Sequence, residues 1–191
     1  MRVSSPAMAT ILGISGSLRA GSLNTRLLHA AVDLVPAGTA LEIGSIRGIP
    51  LYDGDVEAAS GIPPEVAVLK EQMIAADGVL IVTPEYNNSI PGVLKNAIDW
   101  CSRPPAEIGQ VFGGKPFGLI GATPGRGGTT LAQASWLPVL RTLGTLPWFG
   151  GRLMVSGADK VFDDRGAVQD ATVRAQLEKY LIGFAKFVAA H

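Results

Sequence analysis

Gly78-Val79-Leu80-Ile81-Val82-Thr83 is apolar throughout, carries no charge and is cut off by Pro84. A strand that faces water on one side alternates apolar with polar residues, whereas one that is apolar on both faces must be covered on both. Other runs repeat the theme. Ala9-Thr10-Ile11-Leu12-Gly13-Ile14, Ala40-Leu41-Glu42-Ile43, Pro116 to Ala122 and Leu153-Met154-Val155 all read as strands. Helical patterns separate them: one capped by Asn24 or Thr25, one from Glu65 to Ala76, and one that starts at Pro91 and reaches about Cys101. A fourth runs from Thr129 to Leu143, with Pro138 expected to kink or break it, and an amphipathic one spans Asp170 to Ala189. The stretch between Ile43 and Pro64, rich in Gly, Pro and Asp, reads as loop. Strand and helix alternate from end to end, which predicts a parallel sheet with helices on both faces.

Five such strands fit a flavodoxin-like three-layer sandwich, with strand order 2-1-3-4-5. A chain of 191 residues suits one domain, and a domain of this size buries roughly 70% of its unfolded surface. We read residues 1–8 as a flexible N-terminal tail and 9–191 as the domain. Sixteen basic and sixteen acidic residues cancel without forming a run, so neither a nucleic-acid surface nor a polybasic membrane patch is expected and the partner is a small molecule. No apolar run reaches the roughly 20 residues that span a bilayer, and the first nine lack the apolar core of a signal peptide. Cys101 is the only cysteine, and no pairing of His and Cys ligands is present, so no metal site is expected and a cytoplasmic setting fits.

In a doubly wound sheet, ligands sit beyond the carboxyl ends of the strands, near the switch between strands one and three. Three loops meet there. The first, Gly13 to Arg26, joins a buried strand to a helix through glycines, hydroxyls and Arg19. Its backbone N–H groups and the helix N-terminus suit an anion. It lacks the G-x-G-x-x-G spacing of dinucleotide folds, and the G-x-S-x-G elbow fails because Ser17 stands where the second glycine belongs. Gly109 to Lys115 has the glycine-to-lysine spacing of a P-loop, but Pro116 replaces the Ser or Thr that would hold Mg²⁺. With His29 inside a helix and His191 at the end of the chain, no base for a hydrolase is in place. A phosphate is bound here, not cleaved. The second loop, Pro84 to Gly92, offers Tyr86 and the amides of Asn87 and Asn88 to a flat heteroaromatic ring. The third, Ala122 to Thr129, offers bare backbone at Gly125, Gly127 and Gly128. A phosphorylated flat ligand is implied, and FMN meets that description.

The chain resembles the NADPH-dependent FMN reductase family, flavodoxin-like enzymes that include soluble quinone, chromate and azo-dye reductases. The resemblance is carried by Gly16-Ser17-Leu18-Arg19-Ala20-Gly21-Ser22-Leu23-Asn24, by Ile49-Pro50-Leu51-Tyr52-Asp53, and above all by the block from Ala76 through Pro84-Glu85-Tyr86-Asn87 to Trp100. It covers the chain from about Thr10 to the last helix. The resemblance implies that Ser17, Arg19, Ser22, Asn24 and Thr25 hold the FMN phosphate and that Pro84, Glu85, Tyr86 and Asn87 line the ring. Leu23, Asn88, Ser89, Thr123, Gly125 and Arg126 complete the candidate cofactor-binding set. It further implies hydride transfer from NADPH or NADH to FMN N5, then to a small acceptor such as free flavin, a quinone, an azo dye or chromate, with ping-pong kinetics and a homodimer or homotetramer. The third loop departs from the family's Ser-rich pattern, having Ala122-Thr123-Pro124 and Arg126.

No side chain is assigned as a catalytic acid or base. Arg126 and the third-loop N–H groups are candidates for steadying negative charge on the reduced ring, and Arg126 is equally open to a solvated role or to a nucleotide 2′-phosphate. Glu85 either shapes its turn by accepting a backbone N–H or touches the cofactor. Cys101 reads as a core thiol, and Trp136 and Trp148 as packing or subunit contacts. The opposing function is a flavodoxin-like electron carrier without a nicotinamide site. Such carriers are acidic, and this chain is neutral, so the enzyme is favoured.

Overall fold

The computed structural model describes residues 8–191. The tail expected over residues 1–8 lies, apart from an exposed Met8, outside the described residues. The chain runs β1 (Ala9–Ser15), α1 (Leu23–Leu34), β2 (Thr39–Gly44), α2 (Gly54–Ser60), α3 (Pro64–Ala75), β3 (Gly78–Val82), α4 (Gly92–Cys101), α5 (Ile108–Val111), β4 (Pro116–Ala122), α6 (Thr130–Thr142), β5 (Leu146–Pro147), β6 (Leu153–Val155) and α7 (Ala171–Val188). All strand pairs are parallel, in the order β2-β1-β3-β4, and β5 and β6 share the outer edge of β4.

The expected 2-1-3-4-5 order is therefore present, with its fifth place divided. β5 pairs with Pro116 and Phe117, and β6 pairs with Ile120 to Ala122. Pro147 has no N–H to carry the ladder onward, and after the Trp148 N–H bonds Phe117 O at 2.8 Å the chain leaves the sheet until Leu153.

The period-2 pleat of β3 accounts for the layering. Leu80 and Val82 point into a core under α1 and α7, with Leu27, Leu28, Leu177 and Phe184. Val79 and Ile81 point into the opposite core, under α3, α4 and α6, with Leu69, Met73, Leu94 and Trp136. At about 1.5–3 kcal/mol for each large apolar side chain removed from water, these two layers supply the main drive for folding.

Three local expectations are corrected, and for Trp136 the packing alternative is the one present. Ser22, not Asn24 or Thr25, caps α1: its Oγ accepts the Thr25 N–H at 3.1 Å. A short helix, α2, stands inside the segment read as loop, capped by Asp53 and burying no residue. Pro138 neither breaks nor ends α6: it and Ala134, whose carbonyl loses its donor, both lie on the exposed face, so that carbonyl is not stranded in the core. Trp136 is fully buried with its Nε1–H donated to Thr83 Oγ1 at 3.2 Å, so it cannot serve as a subunit contact.

Candidate flavin site at the carboxyl edge of the sheet

β1, β3 and β4 end side by side, and the loops that follow them enclose a cleft of about 150 Å³. Ser17, Arg19, Ser22, Leu23 and Asn24 line it from the first loop; Pro84, Glu85 and Tyr86 from the second; Ala122, Thr123 and Pro124 from the third. Gly16 begins the turn, its N–H donated to Val82 O at 2.9 Å. A Cβ there would lie 2.6 Å from Leu94 Cδ2 and 2.9 Å from Pro84 Cδ, so only glycine lets the first and second loops pack this closely.

The first loop leaves its donors unspent. Within the described residues the N–H groups of Leu23 and Asn24, at the first turn of α1, make no hydrogen bond, as expected of helix N-terminal donors without a second cap. Ser22 Oγ accepts from Thr25 and keeps its own proton to give. Arg19 is exposed and forms no ion pair among the described residues. Two predicted ligands are engaged elsewhere. The amide of Asn24 is buried and locked onto β4: its Nδ2 donates to Ala122 O and its Oδ1 accepts the Ala122 N–H, both at 2.9 Å. Thr25 Oγ1 pairs with Ser15 Oγ at 2.9 Å and does not line the cleft. Both side chains tie the scaffold together.

The second loop is a tight hairpin. Tyr86 and Ser89 exchange backbone bonds of 3.2 and 3.0 Å, and Asn87 and Asn88 take φ of 50° and 61°. That is a type I′ pattern, and asparagine is among the few side chains that tolerate it. Asn87, Asn88 and Ser89 are thus turn residues, exposed and outside the cleft lining, while Tyr86 is turned toward the first loop, its hydroxyl 3.5 Å from Ser17 Oγ. Glu85 does not shape its own turn. Its Oε2 accepts the N–H groups of Leu131 at 2.8 Å and Ala132 at 3.0 Å, capping α6 across 46 positions of sequence and tying the second loop to the third.

In the third loop the Thr123 N–H bonds Val155 O at 2.9 Å, while Arg126 is exposed without a partner among the described residues. Gly125 and Arg126 stand outside the cleft lining. Gly128, at φ +62° with Met154 O only 2.9 Å from a built Cβ, is required by its backbone and its neighbours. Gly127 is required by neither, since its φ is ordinary and no atom lies within 4 Å of a Cβ there. Bare backbone at this edge has a use if something from outside approaches it.

The matching family model, described as NADPH-dependent FMN reductase, spans residues 9–160. The chain belongs to that family. An NAD(P)H-dependent FMN reductase of Pseudomonas aeruginosa is 47% identical over 171 residues, 90% of either protein. A quinone reductase of Escherichia coli K12 is 38% identical over 183 residues, 93% of this chain and 94% of the relative. Among solved structures, the flavoenzyme NAD(P)H:(acceptor) oxidoreductase FerB of Paracoccus denitrificans superposes with a TM-score of 0.86 at 32% identity, covering 96% of this chain and 98% of the other.

The family segment Ile49–Asp53 lies outside the cleft lining and has a bracing role. The Tyr52 N–H donates to Asn96 Oδ1 and Asn96 Nδ2 donates to Pro50 O, both at 2.8 Å, and Trp100 Nε1 reaches the same carbonyl at 2.9 Å. Glu57 of α2 accepts from Arg103 Nε at 2.8 Å and from the Tyr52 hydroxyl at 2.9 Å. The Arg103 bond above all holds the Glu57 carboxyl below its usual range, and the bond to Glu57 raises the Tyr52 phenol. Cys101 is sealed in the core, where burial pushes its thiol up to about 12, so it is no nucleophile. His29 is exposed on α1. Among the described residues no helix is long and apolar enough to cross a membrane.

Proposed function

We propose that the chain is an NAD(P)H-dependent oxidoreductase that holds FMN in this cleft and passes electrons to a small acceptor such as free flavin, a quinone, an azo dye or chromate. One observation carries the reading: unspent N–H groups at the start of α1, a hydroxyl pair and an unpaired Arg19 converge beside an exposed tyrosine at the carboxyl edge of β1 and β3. That donor set fits a phosphate monoester with a flat ring attached.

When bound, FMN supplies a ring nitrogen that takes a hydride from a nicotinamide and gives two electrons onward. Ser17, Arg19, Ser22 and the Leu23 and Asn24 N–H groups would hold the phosphate. Pro84 and Tyr86, which line the cleft, would hold the ring, and the hairpin at Asn87-Asn88 fixes where Tyr86 stands. The Arg126 and Gly127 N–H groups bond nothing within the described residues and would be available as donors to negative charge on the ring. The roles we assign to the protein are orientation and charge stabilisation.

Nucleotide and acceptor would use this one cleft in turn. Steady-state rates with NADPH and a benzoquinone varied together therefore give parallel double-reciprocal lines; intersecting lines would mean that both bind at once. An electron carrier is not favoured, since the similar proteins are named reductases. We place the protein in the cytoplasm as a homodimer. The exposed Leu131, Leu137, Leu146 and Phe149 support an apolar contact face beside α6, and a monomeric mass in solution would remove that part of the reading.

A further inference from the structure

We propose that Arg47 is a positioning residue of the phosphate loop, keeping the Leu18–Arg19 peptide turned so that its carbonyl faces away from the bound anion. The proposal rests on the phosphate reading given above. Arg47 belongs to the loop that follows β2, the strand next to β1. That loop is well anchored: Ile46 is buried at 5% exposure, the Arg47 N–H bonds Ser45 Oγ at 3.1 Å, and Gly48 turns at φ +84° against Glu65. From this base, Arg47 Nη2 donates to Leu18 O at 3.0 Å.

Nothing else outside the loop does so. Within the described residues, the other bonds made by Leu18 to Gly21 are local ones, the Arg19 N–H toward Ser17 Oγ at 3.4 Å and the Ser22 N–H to Arg19 O at 3.2 Å. The apex of the loop is thus tied to the rest of the protein by Arg47. In a trans peptide the C=O and the following N–H point in opposite directions. With the Leu18 carbonyl drawn outward by Arg47, the Arg19 N–H points toward Ser17 Oγ, a side chain that lines the cleft. The reversed peptide would present a carbonyl oxygen, the negative end of the dipole, to a phosphate. Arg47 also has no carboxylate within ion-pair distance among the described residues, so its charge adds to that of Arg19 at the loop.

The test compares FMN with riboflavin, which has the ring but no phosphate, in the wild type, Arg47→Met and Arg47→Lys. Fluorescence quenching or calorimetry gives both dissociation constants, and thermal melting checks that the variants fold. Arg47→Met is expected to weaken FMN about tenfold, the scale of one hydrogen bond to a charged group, while riboflavin changes less than about twofold. Arg47→Lys, which keeps a charged donor, recovers most of the FMN loss. Unchanged FMN affinity in Arg47→Met, or equal losses for the two ligands, overturns the role of Arg47 alone. A wild type that binds riboflavin as tightly as FMN overturns the phosphate reading and this proposal with it.

Discussion

Replacing Asn24 with alanine removes a buried amide that answers both the N–H and the C=O of Ala122, each at 2.9 Å. These two backbone groups face the β3 side, where β4 has run past the last paired residue of β3, Val82 opposite Ile120, and β6 lies along the opposite edge, so no strand takes them. Asn24 and Ala122 are exposed by only 3% and 2%, which leaves little room for water to substitute. An orphaned buried backbone group costs about 1–3 kcal/mol, and two together cost about 3 kcal/mol once partial relaxation is allowed. With an unfolding entropy of about 2.1 cal/mol/K per residue, a domain of this length loses about 7 °C in melting temperature. Asn24→Asp sharpens the reasoning, because a carboxylate still accepts the Ala122 N–H but repels the Ala122 carbonyl. Its folded-state pKa is raised, so the added penalty is present above that value and disappears as pH falls below the unfolded value of about 3.9, where the carboxyl regains a donor. Thermal and urea melts followed by far-ultraviolet circular dichroism read both variants. A melting temperature for Asn24→Ala within about 1 °C of the wild type would refute the claim that this amide closes the top of β4.

Other consequences are separately measurable. Glu85→Ala strips the cap from α6 and unties the second loop from the third, so it is expected to cost about 1–2 kcal/mol in a urea melt and to weaken FMN binding as well; a loss of affinity with no loss of stability would assign Glu85 to the cofactor instead. Cys101, with its thiol raised to about 12 in the core, is expected to ignore a colourimetric thiol reagent at pH 8 and to react with one equivalent once the protein is unfolded. Native-state labelling would contradict its burial. Glu57, whose carboxyl is held low by Arg103, stabilises the fold at neutral pH, and this contribution is lost as pH falls through its depressed folded-state value. The melting difference between the wild type and Glu57→Gln is therefore largest above the ordinary carboxylate value and closes as pH falls through the depressed folded-state value; a difference that does not vary with pH would place its origin in packing.

What the sequence made legible follows the range of the interactions concerned. β3 announces itself because both of its faces are buried, and its pleat feeds two separate cores. α2 buries nothing, so apolar periodicity offers no trace of it, although Asp53 with Asp55 and Glu57 in the first turn is a recognisable start signal. The three loops are local features and were read in the right place. The partners of their side chains are not local. Asn24 reads as a phosphate ligand until its bond to Ala122, 98 positions away, accounts for its amide, and Glu85 divides between two roles until α6 arrives over it. Asn87 and Asn88 offer amides in the sequence and left-handed backbone in the fold. Arg47 carries no motif at all, and its link to Leu18 arises only because β2 lies beside β1.

Anaerobic titration of the FMN-loaded protein with NADPH, and separately with NADH, followed by the visible absorption of the flavin, tests the central claim most directly. One equivalent of at least one nucleotide is expected to bleach the bound flavin, and a quinone added afterwards is expected to restore its colour. Flavin that stays bound and coloured in an excess of both nucleotides would contradict a reductase.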